Sequence, residues 1–343
     1  MLKKFIQNIW NWGRKMKEKI DFVITWVDGS DPKWLEDKNK YADVKENDID
    51  SSIARYRNWE FLKYWFRSIE KNAPWVNKIF FVTYGHIPKW LNVNNKKLVI
   101  VKHEDFIPKK FLPTFNSCTI EMHLHRIKGL SEKFVYFNDD IFINKKVTES
   151  YFFKKNLPLD NFILSPIHPC NEASACIHYN CMRLINKYFN FSKVEHKKIL
   201  SPKNGKYLYK NITLSVYPFN VGLRFHHVAV SYLKSTFKDV WEKEEDYLNF
   251  VSSHKFRENT DVSQWLFQFW QLAKNNYEVR KTKEYRYYDI EKDFNSIIKD
   301  IEKSKRKMIC LNDNNLVVNF EQKKKKLLDT FENKYKDKSN FEI

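Results

Sequence analysis

The chain predicts an α/β fold: a largely parallel sheet flanked by helices in its first half, then a more helical second half. Three observations carry that expectation. Apolar runs of strand length alternate with amphipathic helical patterns, the order that strand–helix–strand crossovers produce. Of 343 residues, 43% are hydrophobic and 17% aromatic, ample for a buried core and outside the composition of disordered chains. Glycine is scarce, at 6 residues, and no Gly-x-Gly-x-x-Gly or Gly-x-x-x-x-Gly-Lys loop occurs. Any bound phosphate must then be held by Arg, Lys or a metal.

At the start of the chain, Leu2, Phe5, Ile6, Ile9, Trp10 and Met16 recur at helical spacing among Lys3, Lys4, Arg14, Lys15, Lys17 and Lys19. Residues 1–19 are expected to form a basic amphipathic helix, suited to an anionic membrane interface or to docking on the protein's own core. No apolar run reaches the ~20 residues of a spanning helix, and none follows the first lysines at the length of a secretory signal. Residues 20–27 read as a strand ended by Asp28-Gly29-Ser30-Asp31-Pro32. An amphipathic helix over 55–72 turns Trp59, Leu62, Trp65, Phe66 and Ile69 inward and stops at Pro74. Strands follow at 79–83 and 98–101. Asn116 or Ser117 caps a helix that buries Ile120, Leu124 and Ile127, and 134–137 is the next strand.

Beyond it, 162–165 reads as a short strand and 170–188 as helix. Residues 193–210, around Asn204-Gly205, read as an exposed hairpin or loop insertion. Helices are expected at 228–250 and 261–273, a late strand at 307–311, and a charged helix from near Leu316. The organisation this implies is a separate 1–19 helix and one domain over 20–343. That domain divides into an α/β half, 20–150, and a more helical half, 151–343, with the insertion near 193–210.

The net charge of +19 points to an anionic partner: nucleic acid, acidic lipid or a charged glycan. Nucleic acid is disfavoured, because no helix-turn-helix, zinc-finger or aromatic RNA-binding signature is present. The five cysteines, Cys118, Cys170, Cys176, Cys181 and Cys310, are odd in number and form no Cys-x-x-Cys, as in a reducing compartment.

Asn138-Asp139-Asp140 closes an apolar strand with two adjacent carboxylates. Burying them is costly unless a cation sits there; the plainer alternative is a solvated turn. In an open α/β sheet, ligands bind outside the carboxyl ends of the strands. Asp28, Asn138 to Asp140, and Asn312-Asp313 all follow apolar strands, so three acidic ends of one sheet are expected to meet at one cleft. Glu121 and His125 are four apart on the predicted helix and could face that cleft as a ligand or acid/base pair. His226 and His227 precede the helix expected at 228, where backbone N–H groups favour an anion and a neutral imidazole can take a hydroxyl proton. Arg257 can contact phosphate in bidentate fashion.

These residues resemble the Stealth family of sugar-phosphate transferases, whose catalytic blocks are shared by the animal lysosomal-enzyme N-acetylglucosamine-1-phosphotransferase. The resemblance runs through four blocks in order. They are Ile20-Asp-Phe-Val-Ile-Thr-Trp-Val-Asp-Gly-Ser-Asp31; Arg55 through Ile143, with Ile120-Glu-Met-His-Leu-His-Arg126 and Phe137-Asn-Asp-Asp140; about His226 to Trp270; and Met308-Ile-Cys-Leu-Asn-Asp313. It implies a nucleotide-diphospho-sugar transferase-like (GT-A-like) fold and a divalent metal, Mg²⁺ or Mn²⁺. It implies transfer of sugar-1-phosphate from a nucleotide sugar, such as a UDP-hexose or UDP-N-acetylhexosamine, to a hydroxyl of an acceptor glycan. Lipid-linked glycans are among the acceptors that fit. The expected place is the bacterial cytoplasm at the inner membrane face. The resemblance ties Glu121, Asp140, His227 and Arg257 to catalysis or donor binding. The roles expected are His227 as general base, Glu121 orienting the acceptor or sharing that role, Arg257 and Asp28 on the donor, and Asp140 with Asp139 or Asp313 on the metal. The alternative is a conventional glycosyltransferase that releases nucleoside diphosphate.

Overall fold

A computed structural model describes residues 19–42, 58–168, 173–193, 196–314 and 317–343. The expected N-terminal helix, apart from Lys19, lies outside the described residues, as do Arg55, Cys170 and Leu316.

The chain enters at strand β1 (Ile20–Thr25) and runs through helix α1 (Pro32–Tyr41) and α2 (Leu62–Asn72). Strands β2 (Ile79–Thr83) and β3 (Leu98–Lys102), helix α3 (Ser117–Met122), and strands β4 (Lys133–Phe137) and β5 (Ile141–Ile143) follow. Next come β6 (Phe153–Lys154), β7 (Leu157–Asp160), α4 (Ala173–Tyr188), α5 (His196–Ile199) and α6 (Leu208–Leu214). The last third holds β8 (Val230–Leu233), α7 (Lys234–Ser252), α8 (Trp265–Ala273), β9 (Glu278–Val279), β10 (Tyr285–Asp289), α9 (Ile290–Lys303), β11 (Met308–Asn312) and α10 (Phe320–Lys334).

The main sheet has the order β3-β2-β1-β4-β8, with β1 to β4 parallel and β8 antiparallel to β4. Its inner strands β1, β2 and β4 are buried on both faces, their successive side chains pointing to opposite sides. Val23, Phe80, Val82, Phe134 and Tyr136 pack on one face with residues of α4, α7 and α8. Phe22, Ile24, Phe81, Val135 and Phe137 pack on the other with residues of α2, α9 and α10. This is the predicted α/β sheet, flanked by helices. At its lower edge Asp21, fully buried, accepts from the Asn77 side chain (2.6 Å) and from the backbone N–H groups of Lys78 (3.1 Å) and Ser131 (2.8 Å), which satisfies a carboxylate that burial would otherwise penalise.

Several expectations need correction, among them the 162–165 strand, which is only an isolated bridge between Leu164 and Leu223. The helix expected from 228 begins only at Lys234, because Val230–Leu233 is spent on β8. A β-branched, aromatic run finds an edge position beside β4, and tertiary pairing overrides helical periodicity. The helix expected over 55–72 starts at Leu62, with Glu60 at φ 59° before it. The helix at Asn116 stops at Met122 and breaks into a 3₁₀ turn over Leu124–Arg126. The 193–210 insertion contains short helical turns, not a hairpin.

Finally, β11 is not in the main sheet. It joins β10 and β5 in a separate three-stranded sheet, pairing antiparallel with β5 so that Cys310 faces Ile141. The Asn138 to Asp140 turn is the point where the chain leaves one sheet for the other.

Candidate functional site

The cleft opens at the carboxyl edge of the parallel strands, as such sheets dictate. Because β8 runs antiparallel, the residues before it, not after it, arrive at this edge: Tyr136 lies opposite Val230. That places His227 beside Asn138. The helix-terminus environment expected for His226 and His227 is therefore incorrect, since a strand separates them from α7.

Glu121, Tyr136, Asn138, His227, Arg257 and Asn312 line a cavity of about 280 Å³. Stacked Phe225 and Trp265, with ring centroids 3.9 Å apart, form an aromatic wall. His227 Nε2 sits 3.3 Å from the Asn138 amide nitrogen and 3.5 Å from Asp140 Oδ2. Burial pulls the imidazole down, but the Asp140 carboxylate and Glu121 outweigh it, and His227 ends above its ordinary value.

Glu121 is buried on the last turn of α3, which Asn116 caps by accepting from Cys118 N at 2.9 Å. Its carboxylate accepts from the Tyr136 hydroxyl (3.2 Å) and from Gln264 N (3.3 Å). Burial raises its pKa, against the pull of Arg257 and His227. Its expected partner His125 is elsewhere. The helix break turns that ring against Phe237 and Trp241, and burial takes it down to about 3. His226 likewise turns into the interior beside Asp160, Gln268 and Arg280, where burial and the Arg224 and Arg280 charges leave it at about 3.

Arg257 reaches the cleft from the loop between α7 and α8. Its Nε and Nη2 donate to Ser117 Oγ at 3.1 and 2.5 Å. The loop is pinned by buried Asp261, which contacts His254 Nδ1 (2.7 Å) and accepts from the Asn116 amide (2.8 Å) and Glu258 N (3.0 Å). One carboxylate thus ties the Arg257 loop to the cap of the helix that carries Glu121.

Asp140, His227 and Cys310 form the one group of three metal-ligating side chains found among the described residues, their ligand atoms within 4.8 Å of one another. Asp140 Oδ1 is buried without a hydrogen-bond partner, while Oδ2 accepts from Cys310 Sγ at 3.2 Å. Asp139 is exposed at its surface, yet the protein packed around it and the Asp140 charge push it up to about 7. An orphaned carboxylate oxygen beside a second carboxylate held above its normal range fits a hard divalent cation. Cys310 does not fit one, because burial and the Asp140 charge hold its thiol well above its usual pKa, as a donor.

Asp139 and Asp313 stand outside that group of three. Asp313 accepts from the Trp59 indole at 2.8 Å. Asp28 accepts from Ser30 N and Oγ at 3.0 and 2.6 Å, closing the turn after β1, while its own N–H donates to His86 Nε2 at 2.7 Å. Tyr136, Ser117, Gln264 and the His254–Asp261 pair were not legible as site residues beforehand. Only Tyr136 carried a signal, as a lone hydroxyl near the end of an apolar strand.

The family model described as Stealth protein CR1, conserved region 1, matches residues 18–43, and Stealth protein CR2, conserved region 2, matches residues 55–159. Capsular polysaccharide phosphotransferase WcwK of Streptococcus pneumoniae is 46% identical over 334 residues, 96% of this chain and 99% of that protein. Exopolysaccharide phosphotransferase cps2G of Lactiplantibacillus plantarum is 38% identical, across 94% of this chain and 96% of that protein. Receptor polysaccharide phosphotransferase WefC of Streptococcus oralis is 37% identical, across 95% and 99%. Among solved structures, the glycosyltransferase GlyE of Streptococcus pneumoniae is similar at 9% identity and a TM-score of 0.40, covering 93% of this chain and 62% of that one, too loosely to bear on chemistry. With two conserved regions matched and relatives this similar over nearly their whole length, the chain belongs to the Stealth family.

Proposed function

We infer that this protein transfers sugar-1-phosphate from a nucleotide-diphospho-sugar to a hydroxyl of a capsular or surface polysaccharide. The observation that carries this is one cleft lined by Glu121, His227 and Arg257, with Asp140 3.5 Å from His227. The relatives' names support the same reaction and do not favour a conventional glycosyltransferase.

In the reaction, the acceptor oxygen bonds to the phosphorus next to the sugar. The bond from that phosphorus to the bridging oxygen breaks, and the nucleoside monophosphate departs. The sugar's C1–O bond is untouched, so the donor's anomeric configuration is kept. Such transfers depend mainly on positioning and charge neutralisation. His227 takes the acceptor proton at Nε2, with Asp140 balancing the imidazolium. Glu121 accepts a hydrogen bond from the acceptor sugar and orients it. Arg257, steadied by Ser117, faces the phosphoryl oxygens. Asp140, with Asp139 or Asp313, would hold Mg²⁺ or Mn²⁺, which supplies positive charge to the donor diphosphate when bound.

The donor is a UDP-hexose or UDP-N-acetylhexosamine, bound toward Asp28 and the 20–150 half, and the acceptor approaches from the 151–343 half. No helix among the described residues is long and apolar enough to cross a membrane. We propose that it works in the bacterial cytoplasm at the inner face of the cytoplasmic membrane. The test is incubation of the protein with a panel of UDP-sugars, a glycan acceptor and Mg²⁺. Release of UMP is expected, stopped by EDTA; release of UDP instead would establish glycosyl transfer.

A further inference from the structure

The segment from Leu200 to Phe219, which includes the end of the 193–210 insertion, carries large exposed apolar side chains. Tyr209 is 61% exposed, Ile212 55%, Val216 79% and Phe219 58%, with Leu200 and Tyr217 also open to solvent. Tyr209 and Ile212, three apart, share one side of α6, and Val216 lies in the turn just past its end. The Tyr217 and Phe219 rings extend that surface, 5.9 Å apart. Isolated exposed apolar residues are ordinary, but several within twenty residues of chain mark an interaction surface.

Charge decides what that surface meets. From His196 to Lys238 the sequence contains no Asp or Glu, while Lys197, Lys203, Lys206 and Lys210 are interspersed with the apolar set along the chain. None of these four lysines has an acidic partner among the described residues. Interfaces between proteins are depleted in lysine. Tyrosine, phenylalanine and lysine side by side are instead the composition of a membrane–water interface, where lysine stems lie along the apolar phase and the heads meet anionic headgroups.

The segment is also fixed to the cleft wall. The Tyr207 ring packs on His226 at 5.5 Å, Arg224 lies 4.9 Å above Tyr207, and Leu223 bridges Leu164. His227 follows immediately. We propose that the segment bearing Leu200, Tyr209, Ile212, Val216, Tyr217 and Phe219, with its interspersed lysines, docks on an anionic lipid bilayer and sets the cleft beside it. This is independent of residues 1–19 and of the identity of the transferred group.

The test is co-sedimentation of the full chain with vesicles of phosphatidylcholine containing about one part in four phosphatidylglycerol, against pure phosphatidylcholine. The unaltered chain should bind the anionic vesicles, with affinity falling as salt rises. The combined Ile212→Ser, Val216→Ser, Phe219→Ser variant should lose about tenfold or more of that binding. Replacing Lys197, Lys203, Lys206 and Lys210 by Gln should abolish the preference for anionic vesicles. Both variants should keep the circular dichroism, melting temperature and turnover on a water-soluble acceptor of the parent. Absence of vesicle binding by the parent chain, or unchanged binding by the serine variant, overturns the proposal. So does conversion of a dimer to a monomer by the serine changes, which makes the face a contact between copies. A raised KM for the soluble acceptor, with vesicle binding intact, reassigns the surface to the glycan.

Discussion

His227 is the residue on which the proposed chemistry turns. Its Nε2 is the only cleft imidazole atom aimed at both an amide and a carboxylate among the described residues, at 3.3 Å from Asn138 and 3.5 Å from Asp140. General-base catalysis is typically worth ~10²–10⁴-fold, so His227→Ala should lower kcat by that much. Donor affinity, read by calorimetric titration of the nucleotide sugar, should change little; a variant with near-normal turnover refutes the assignment. Asp140 predicts a different signature. Asp140→Asn keeps the shape but removes the charge beside an orphaned oxygen, so Mg²⁺ binding should weaken by at least tenfold on calorimetry. Turnover at saturating donor should fall with it, and a variant with unchanged metal titration would place the cation elsewhere. Glu121 and His125 teach the limit of spacing at this scale. Four residues apart implies one face only while the helix persists, and α3 ends between them.

At the scale of elements, the loop between α7 and α8 is held by a buried ion pair. Asp261 is fully buried against His254 and also serves Asn116 and the Glu258 N–H. Leaving one partner of such a pair uncompensated costs about 3–5 kcal/mol. Asp261→Ala should therefore destabilise the protein by about that amount and lower kcat beyond the loss expected from stability, because Arg257 rides on the loop. Burial lowers His254, but Asp261 and Glu258 more than reverse this, so its folded pKa lies above the unfolded ~6.5. The stabilisation is then fully present below pH ~6.5 and lost as pH rises through the raised value. The melting-temperature gap between the parent and His254→Gln should narrow from pH 6 toward pH 9, and a gap that widens contradicts the pairing. Elements were legible where local and tertiary demands agreed. Residues 20–25, 79–83 and 134–137 are buried on both faces and could be little else. Val230–Leu233 was missed because a short edge strand leading into a helix carries a helix's periodicity.

Across the whole molecule, the C-terminal residues close onto α2 through Arg67. This guanidinium, 6% exposed, donates to Glu342 by Nε and Nη2, both at 2.8 Å, and to Glu332 and Tyr335 O by Nη1. Burial would raise Glu342, 4% exposed, but Arg67 and Ser339 hold it below its ordinary value. Its contribution is present above the unfolded pKa of ~4.3 and lost as pH falls through the depressed one. Glu342→Gln should flatten the acid limb of the stability profile while leaving the cleft intact. An acid limb identical to the parent's would mean the clamp contributes nothing.

The sequence by itself determined the α/β class, the buried strands and the polar residues that follow them, because period-2 burial and strand-end chemistry are local. It also carried the family likeness that singled out Glu121, Asp140, His227 and Arg257. Only the tertiary structure decided how they meet. An antiparallel β8 brings His227 to the carboxyl edge, a change of sheet at Asp140 sets Cys310 against it, and a buried Asp261 swings Arg257 onto α3. Those are pairings between segments far apart in the chain, and no local pattern encodes which edge, which sheet or which loop a distant segment will choose.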